Sequence, residues 1–183
     1  MKYIKSYKES ILVDPKEWLD NRNVKNYVIN ADGTIDVSGN VEISSSGIRG
    51  KLRVKFGKVT GNFDISYNHI SNLEGCPNYV GGDFIAHSND LKKLVGGPEE
   101  VGGSYNVCCN KLITLEGCAI EIGKNLYVDN NLLKQIDITS SIGGDIHCFH
   151  NRIPKICDGF NGWCGGKIFY REEEAFNVPR IVR

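Results

Sequence analysis

Between residues 61 and 165 the apolar residues recur in one fixed arrangement. Phe63, Ile65, Ile70 and Leu73 flank Asn68, and Phe84, Ala86, Leu91 and Leu94 flank Asn89. Tyr105, Val107, Leu112 and Leu115 flank Asn110, and Leu126, Val128, Leu133 and Ile136 flank Asn131. Ile146, Cys148, Ile153 and Ile156 flank Asn151. The asparagines are 21, 21, 21 and 20 residues apart. Apolar and polar positions alternate before each asparagine, which predicts a short strand with one face buried. A single unit of this kind cannot cover its own apolar face, so the pattern predicts coils stacked on one another around a shared interior.

The stack assigns a task to each position. Strands of successive coils should pair in parallel, about 4.8 Å apart. The asparagine amide both donates and accepts. Repeated down the stack as Asn68, Asn89, Asn110, Asn131 and Asn151, it is a structural ladder able to satisfy backbone groups where the chain leaves the strand. Glycine pairs close the units at Gly81-Gly82, Gly102-Gly103, Gly143-Gly144 and Gly165-Gly166. There we expect positive φ at a tight corner. Pro77 and Pro98 hold matched places in an arm too short and too glycine-rich for a helix, so the returning arms should be irregular or 3₁₀.

Both ends depart from the repeat. Gly39-Asn40-Val41-Glu42-Ile43 echoes Gly61-Asn62-Phe63-Asp64-Ile65, with Ser46 near the asparagine position and Phe56–Thr60 as the returning arm. Upstream, Asp14-Pro15-Lys16-Glu17 reads as a helix start, giving a helix at about 14–22. Tyr27–Val37 reads as a hairpin around Ala31-Asp32-Gly33. The division is therefore an α/β cap over 1–38, a solenoid over 39–170 and a tail over 171–183. Trp18 and Leu19 should close the apolar end of the stack. Beyond Lys167–Tyr170 the charges of Arg171 and Glu172–Glu174 break the pattern; the tail either packs back through Phe176, Val178 and Ile181 or stays loose.

Composition narrows the functional classes. Twenty-two basic and 22 acidic side chains give zero formal charge, which disfavours a phosphate-gripping nucleic-acid binder and a polybasic membrane anchor. No apolar run reaches the ~18 residues of a bilayer span, and only Ile11-Leu12-Val13 follows the early lysines, too short for a secretory signal. The expectation is a cytoplasmic protein whose seven cysteines are reduced. No CxxC pair occurs. Cys76 and Cys118 fall two coils apart, too far for an unstrained bridge, and Cys157 and Cys164 share the last arm.

The recurring L-x-L-x-x-N-x-L-x-x-L pattern resembles the leucine-rich repeat. Leu73-Glu74-Gly75-Cys76-Pro77 and Leu115-Glu116-Gly117-Cys118 resemble the short repeats common in bacteriophage and bacterial proteins. The opening MKYIKSYKES is similar to the starts of small tailed-phage proteins. The resemblance covers roughly 39–170. It implies a leucine-rich-repeat-like, mainly β solenoid with a parallel sheet on one face, an intracellular recognition role and a viral origin. It carries no catalytic residues and no partner identity.

Residues between the buried strand positions should point outward. They form three columns: Asp64, Ile85, Asn106, Tyr127 and His147; Ser66, His87, Cys108, Asp129 and Phe149; and, at the strand exit, Tyr67, Ser88, Cys109, Asn130 and His150. None is lysine or arginine. Their aromatic groups make this face the candidate binding surface for a protein partner, since such groups dominate interface energetics. The alternative is that they merely solvate the sheet while the arms or ends make contacts. A metal or nucleophilic site built on His87, Cys108 and Asp129, or on His147, His150 and Cys109, is disfavoured, because ladder neighbours do not converge on a point. We therefore expect a non-enzymatic interaction module without cofactor or metal. Its specific form would be a phage-encoded protein engaging a host defence component. A minor virion or assembly protein is the runner-up, and carbohydrate binding is less favoured.

Overall fold

A computed structural model describes residues 13–154, 162–171 and 174–177. It is a mainly β solenoid of about six coils with one short helix. The predicted strands form a front sheet, ordered along the stack as Val41–Glu42, Phe63–Asp64, Phe84–Ile85, Tyr105–Asn106, Leu126–Tyr127, Ile146–His147 and Lys167–Arg171. All of these pair in parallel and in register, so Phe63 lies beside Phe84, Phe84 beside Tyr105 and Leu126 beside Ile146. Glu174–Asn177 then returns antiparallel to Lys167–Arg171, placing Phe176 opposite Ile168. The positions assigned to Ile156, Cys157, Val178 and Ile181 lie outside the described residues.

The returning arms are more regular than their composition suggested. The first contributes the five-residue strand Lys55–Val59 and the others two residues each, and together these build a back sheet of Lys55–Val59, Tyr79–Val80, Glu100–Val101, Glu121–Ile122, Ser141–Ile142 and Trp163–Cys164, all parallel. The arm is therefore a second strand flanked by turns, and no 3₁₀ segment occurs among the described residues. Two residues are too few for the alternation rule to register, but they suffice when identical neighbours lie above and below.

The interior between the sheets is mainly apolar, with Asn68, Asn89, Asn110 and Asn131 of the ladder, Ser66 and Ser140 as its buried polar side chains. An aromatic spine fills its first half: Trp18 meets Phe56 at 6.3 Å between ring centres, Phe56 meets Phe63 at 5.1 Å, Phe63 stacks on Phe84 at 6.0 Å, and Phe84 meets Tyr105 at 4.8 Å. Leu126, Ile146 and Ile168 continue it. The Tyr105 hydroxyl is buried without a hydrogen-bond partner among the described residues.

In the described part of the cap the helix is shorter than the expected 14–22. Asp14 accepts from the Lys16 N–H at 2.8 Å, Pro15 opens the helix, and Pro15–Asp20 is helical. Trp18 and Leu19 turn inward and cover the first coil. The hairpin pairs Tyr27–Ile29 with Thr34–Val37, and its second strand joins the back sheet beside Lys55–Val59.

The glycine pairs do not have positive φ, contrary to the reading of them as left-handed corners. Positive φ falls instead on Gly75, Gly96 and Gly117, at equivalent turns of the arm. The pairs are glycine because coils touch there. A Cβ on Gly81, Gly102, Gly123, Gly143 or Gly165 would overlap the carbonyl oxygen of the coil before, from Thr60, Gly81, Gly102, Gly123 and Gly143 respectively.

Candidate functional site

Every strand exit on the front face has the same local construction. Tyr67, Ser88, Cys109, Asn130 and His150 all adopt left-handed backbone, with φ between 52° and 55°. Such a conformation costs a non-glycine residue about 1–3 kcal/mol and persists only where its surroundings enforce it. The following asparagine enforces it. Asn89 Nδ2 donates to the Ala86 and His87 carbonyls, clasping the turn around Ser88, and to the Ile65 carbonyl of the preceding coil at 3.0 Å. Its Oδ1 accepts from the Ile70 N–H at 3.0 Å. Asn68, Asn110, Asn131 and Asn151 repeat the arrangement on Ile43, Ala86, Val107 and Val128. In the asparagine-lacking first coil, Ser46 and Ile48 donate their N–H groups to Asn68 Oδ1, each at 3.0 Å.

These turns hold the outward columns in place. Asp64, Ile85, Asn106, Tyr127 and His147 are register neighbours on consecutive strands, all half-buried by their flanks. Ser66 does not belong to the surface. It is buried at 2 % exposure, so the second column begins in effect at His87. Its neighbours His87, Cys108, Asp129 and Phe149 are half-buried, while Tyr67, Cys109, Asn130 and His150 stand exposed at the exits.

Part of the predicted anchor set is brought together. Tyr127 stacks on His147 with ring centres 4.8 Å apart, and Phe149 lies 6.2 Å from His147. Asn125 Nδ2 donates to the Tyr127 hydroxyl at 2.8 Å and steadies that ring. A fourth ring completes the cluster: Phe169 lies 5.0 Å from His147 and 6.4 Å from Phe149. Sequence reading missed Phe169 because its unit breaks off before an asparagine. The signal was present all the same, since Gly166-Lys167-Ile168-Phe169 aligns with Gly144-Asp145-Ile146-His147. Tyr67 is not part of this cluster. It lies about 14 Å away along the stack, three coils earlier, and packs edge-on against His87 at 4.8 Å.

The charged and thiol groups of this face are shaped by burial. Burial pushes the Cys108 thiol up to about 12, with Cys109 and Asp129 adding to the effect. Cys148, behind the sheet, is likewise pushed up to about 12. Neither is a thiolate at neutral pH, so neither is poised as a nucleophile. Burial also raises Asp129, against the Phe149 N–H that donates to its Oδ1 at 2.7 Å and the nearby His147 and His150. Among the described residues, no three His, Cys, Asp or Glu side chains gather as a metal site. The six described cysteines, including Cys76, Cys118 and Cys164, are free thiols.

The front face therefore offers a row of stacked rings at its C-terminal half, an edge-on Tyr67–His87 pair near its start, and small polar groups between. Compared with family models, curated proteins and solved structures, the chain matched none.

Proposed function

We propose that this chain is a non-enzymatic recognition module that binds a protein through the front sheet. The stacked Tyr127, His147 and Phe169 rings, with Phe149 beside them, carry this reading. Rigid rings cost little conformational entropy on binding and bury large apolar area, which is why they serve as interface anchors. Tyr127 and His147 are paired in parallel on both sides, and Phe169 in parallel on one side and antiparallel on the other, so the surface is preorganised before any partner arrives. The fifteen front positions carry no lysine or arginine, which points to a partner surface read by apolar and hydrogen-bonding contact. A host protein is the partner class that the resemblance to phage repeat proteins favours.

The test is affinity capture from the native host with the full chain, comparing wild type with Tyr127→Asp plus Phe149→Asp. We expect a specific protein captured by wild type and lost by the double variant, with circular dichroism confirming the fold. Equal capture by both would remove the front face as the contact surface.

A further inference from the structure

A second surface lies at the opposite end of the stack and does not depend on the front face. From Ile48 to Lys55 the chain alternates. Ile48, Leu52 and Val54 are buried, while Arg49, Lys51, Arg53 and Lys55 point outward as a positive stripe in a chain of zero formal charge. Lys51 is paired with Glu74. Among the described residues, no carboxylate lies within ion-pair distance of Arg22, Arg49 or Arg53.

Arg22 leaves the turn after the helix and lays its guanidinium over Trp18, 4.1 Å from the ring centre. Its Nη1 donates to the Trp18 carbonyl at 3.2 Å, whereas its Nε is buried and finds no acceptor among the described residues. Burial, with the charge of Arg53 beside it, holds Arg22 below the usual guanidinium range. Two cations thus lie close together with no ion-paired carboxylate among the described residues. They border a cleft of about 430 Å³ between helix and first coil, which Arg49 and Asn21 also line. Asp14 and Glu17 contribute to the same wall; the Asp14 carboxylate accepts from the helix's first turn, and neither carboxylate forms an ion pair with Arg22, Arg49 or Arg53.

We propose that this cleft binds a small phosphate-bearing ligand, with its oxyanion held between Arg22 and Arg53 and Arg49 at the mouth. The cleft falls within the range of about 300–1,000 Å³ common for small-molecule sites. Guanidinium forks match phosphate oxygens two at a time, and charge-assisted bonds of this kind are the strong ones. An oxyanion between the two arginines would give the buried Nε an acceptor and cancel their repulsion.

Trp18 reports directly on the site, because Arg22 stacks on it. In the full chain carrying Trp163→Phe, Trp18 is the remaining tryptophan. Pyrophosphate should change its emission saturably, and calorimetry should give the same constant. Arg53→Gln and Arg49→Gln, both exposed side chains whose loss leaves the core intact, should each weaken binding about tenfold or more. Arg53→Lys should recover only part of the loss. A change reproduced by chloride at matched ionic strength, or an affinity indifferent to both substitutions, would overturn the proposal.

Discussion

Each coil turns two corners, and the two are built in opposite ways. At the front corner the backbone takes a left-handed turn at Tyr67, Ser88, Cys109, Asn130 or His150, and a side chain supplies the missing hydrogen bonds. At the back corner the coils come so close that no side chain fits, and glycine is required by crowding. The residue at the front turn is free to vary, because the asparagine after it holds the turn. That freedom is what permits a varied recognition surface on one face, and the crowded back corner has no such latitude.

The back corner holds a second, quieter ladder. Asn40, Asn62, Asp83, Asn125 and Asp145 each accept, through Oδ1, the N–H of the equivalent residue in the next coil. That oxygen occupies the space where a Cβ on Gly61, Gly82, Gly103, Gly144 or Gly166 would stand. The exception explains itself. Ser104 has no Oδ1 to offer, and the position above it is Lys124 rather than glycine. Glycine and the amide or carboxylate beneath it thus form a single two-coil unit.

The contrast can be broken most forcefully at the front. Asn110→Ala should cost about 2–4 kcal/mol, because it strands the Leu91 N–H, takes one of two donors from each of the Ala86, Val107 and Cys108 carbonyls and releases the turn at Cys109. Urea unfolding would read it, and a loss below 1 kcal/mol would show that water replaces the amide. At the back, Gly144→Ala should cost about 2 kcal/mol through overlap with Asn125 Oδ1, the next nearest atoms being Lys124 backbone at 3.1 Å. In an Asn125→Ser background the same change should be nearly neutral, reproducing the Ser104–Lys124 pair. A double-mutant cycle with no coupling would refute the two-coil unit.

The smallest effect sharpens the front face alone. Burial raises Asp129, so the native state holds this proton more tightly than the unfolded chain does. Its ionisation therefore costs stability above the folded pKa, and that cost vanishes once pH falls below the ordinary carboxylate range. Asp129→Asn keeps an oxygen for the Phe149 N–H. It should raise the melting temperature by about 1–2 °C at pH 7 and leave it unchanged at pH 3. A lowered Tm at pH 7 would mean that the charge is favourable on this surface.

Much of the front architecture was legible in the sequence because its signals are chemical: five asparagines in file, and apolar residues at fixed offsets. The columns followed from alternation, apart from Ser66, which is buried. The back sheet was not legible, since its two-residue strands exist only through their neighbours. Glycine pairs were visible, but whether a glycine relieves torsion or contact depends on the coil above. The arginine cleft could not be foreseen, because Arg22 and Arg53 are 31 residues apart and meet only through the fold of the cap.

The two hairpins reverse direction at opposite ends and on opposite sheets: Tyr27–Val37 on the back sheet at the start, Lys167–Asn177 on the front sheet at the finish. Extending the array requires both sheets to accept another parallel strand at once. Each end of the described stack presents one reversed edge, which disfavours another molecule docking there as a further coil. The antiparallel strands act as terminators that limit this solenoid to a finite rod and guard it against growth into a filament.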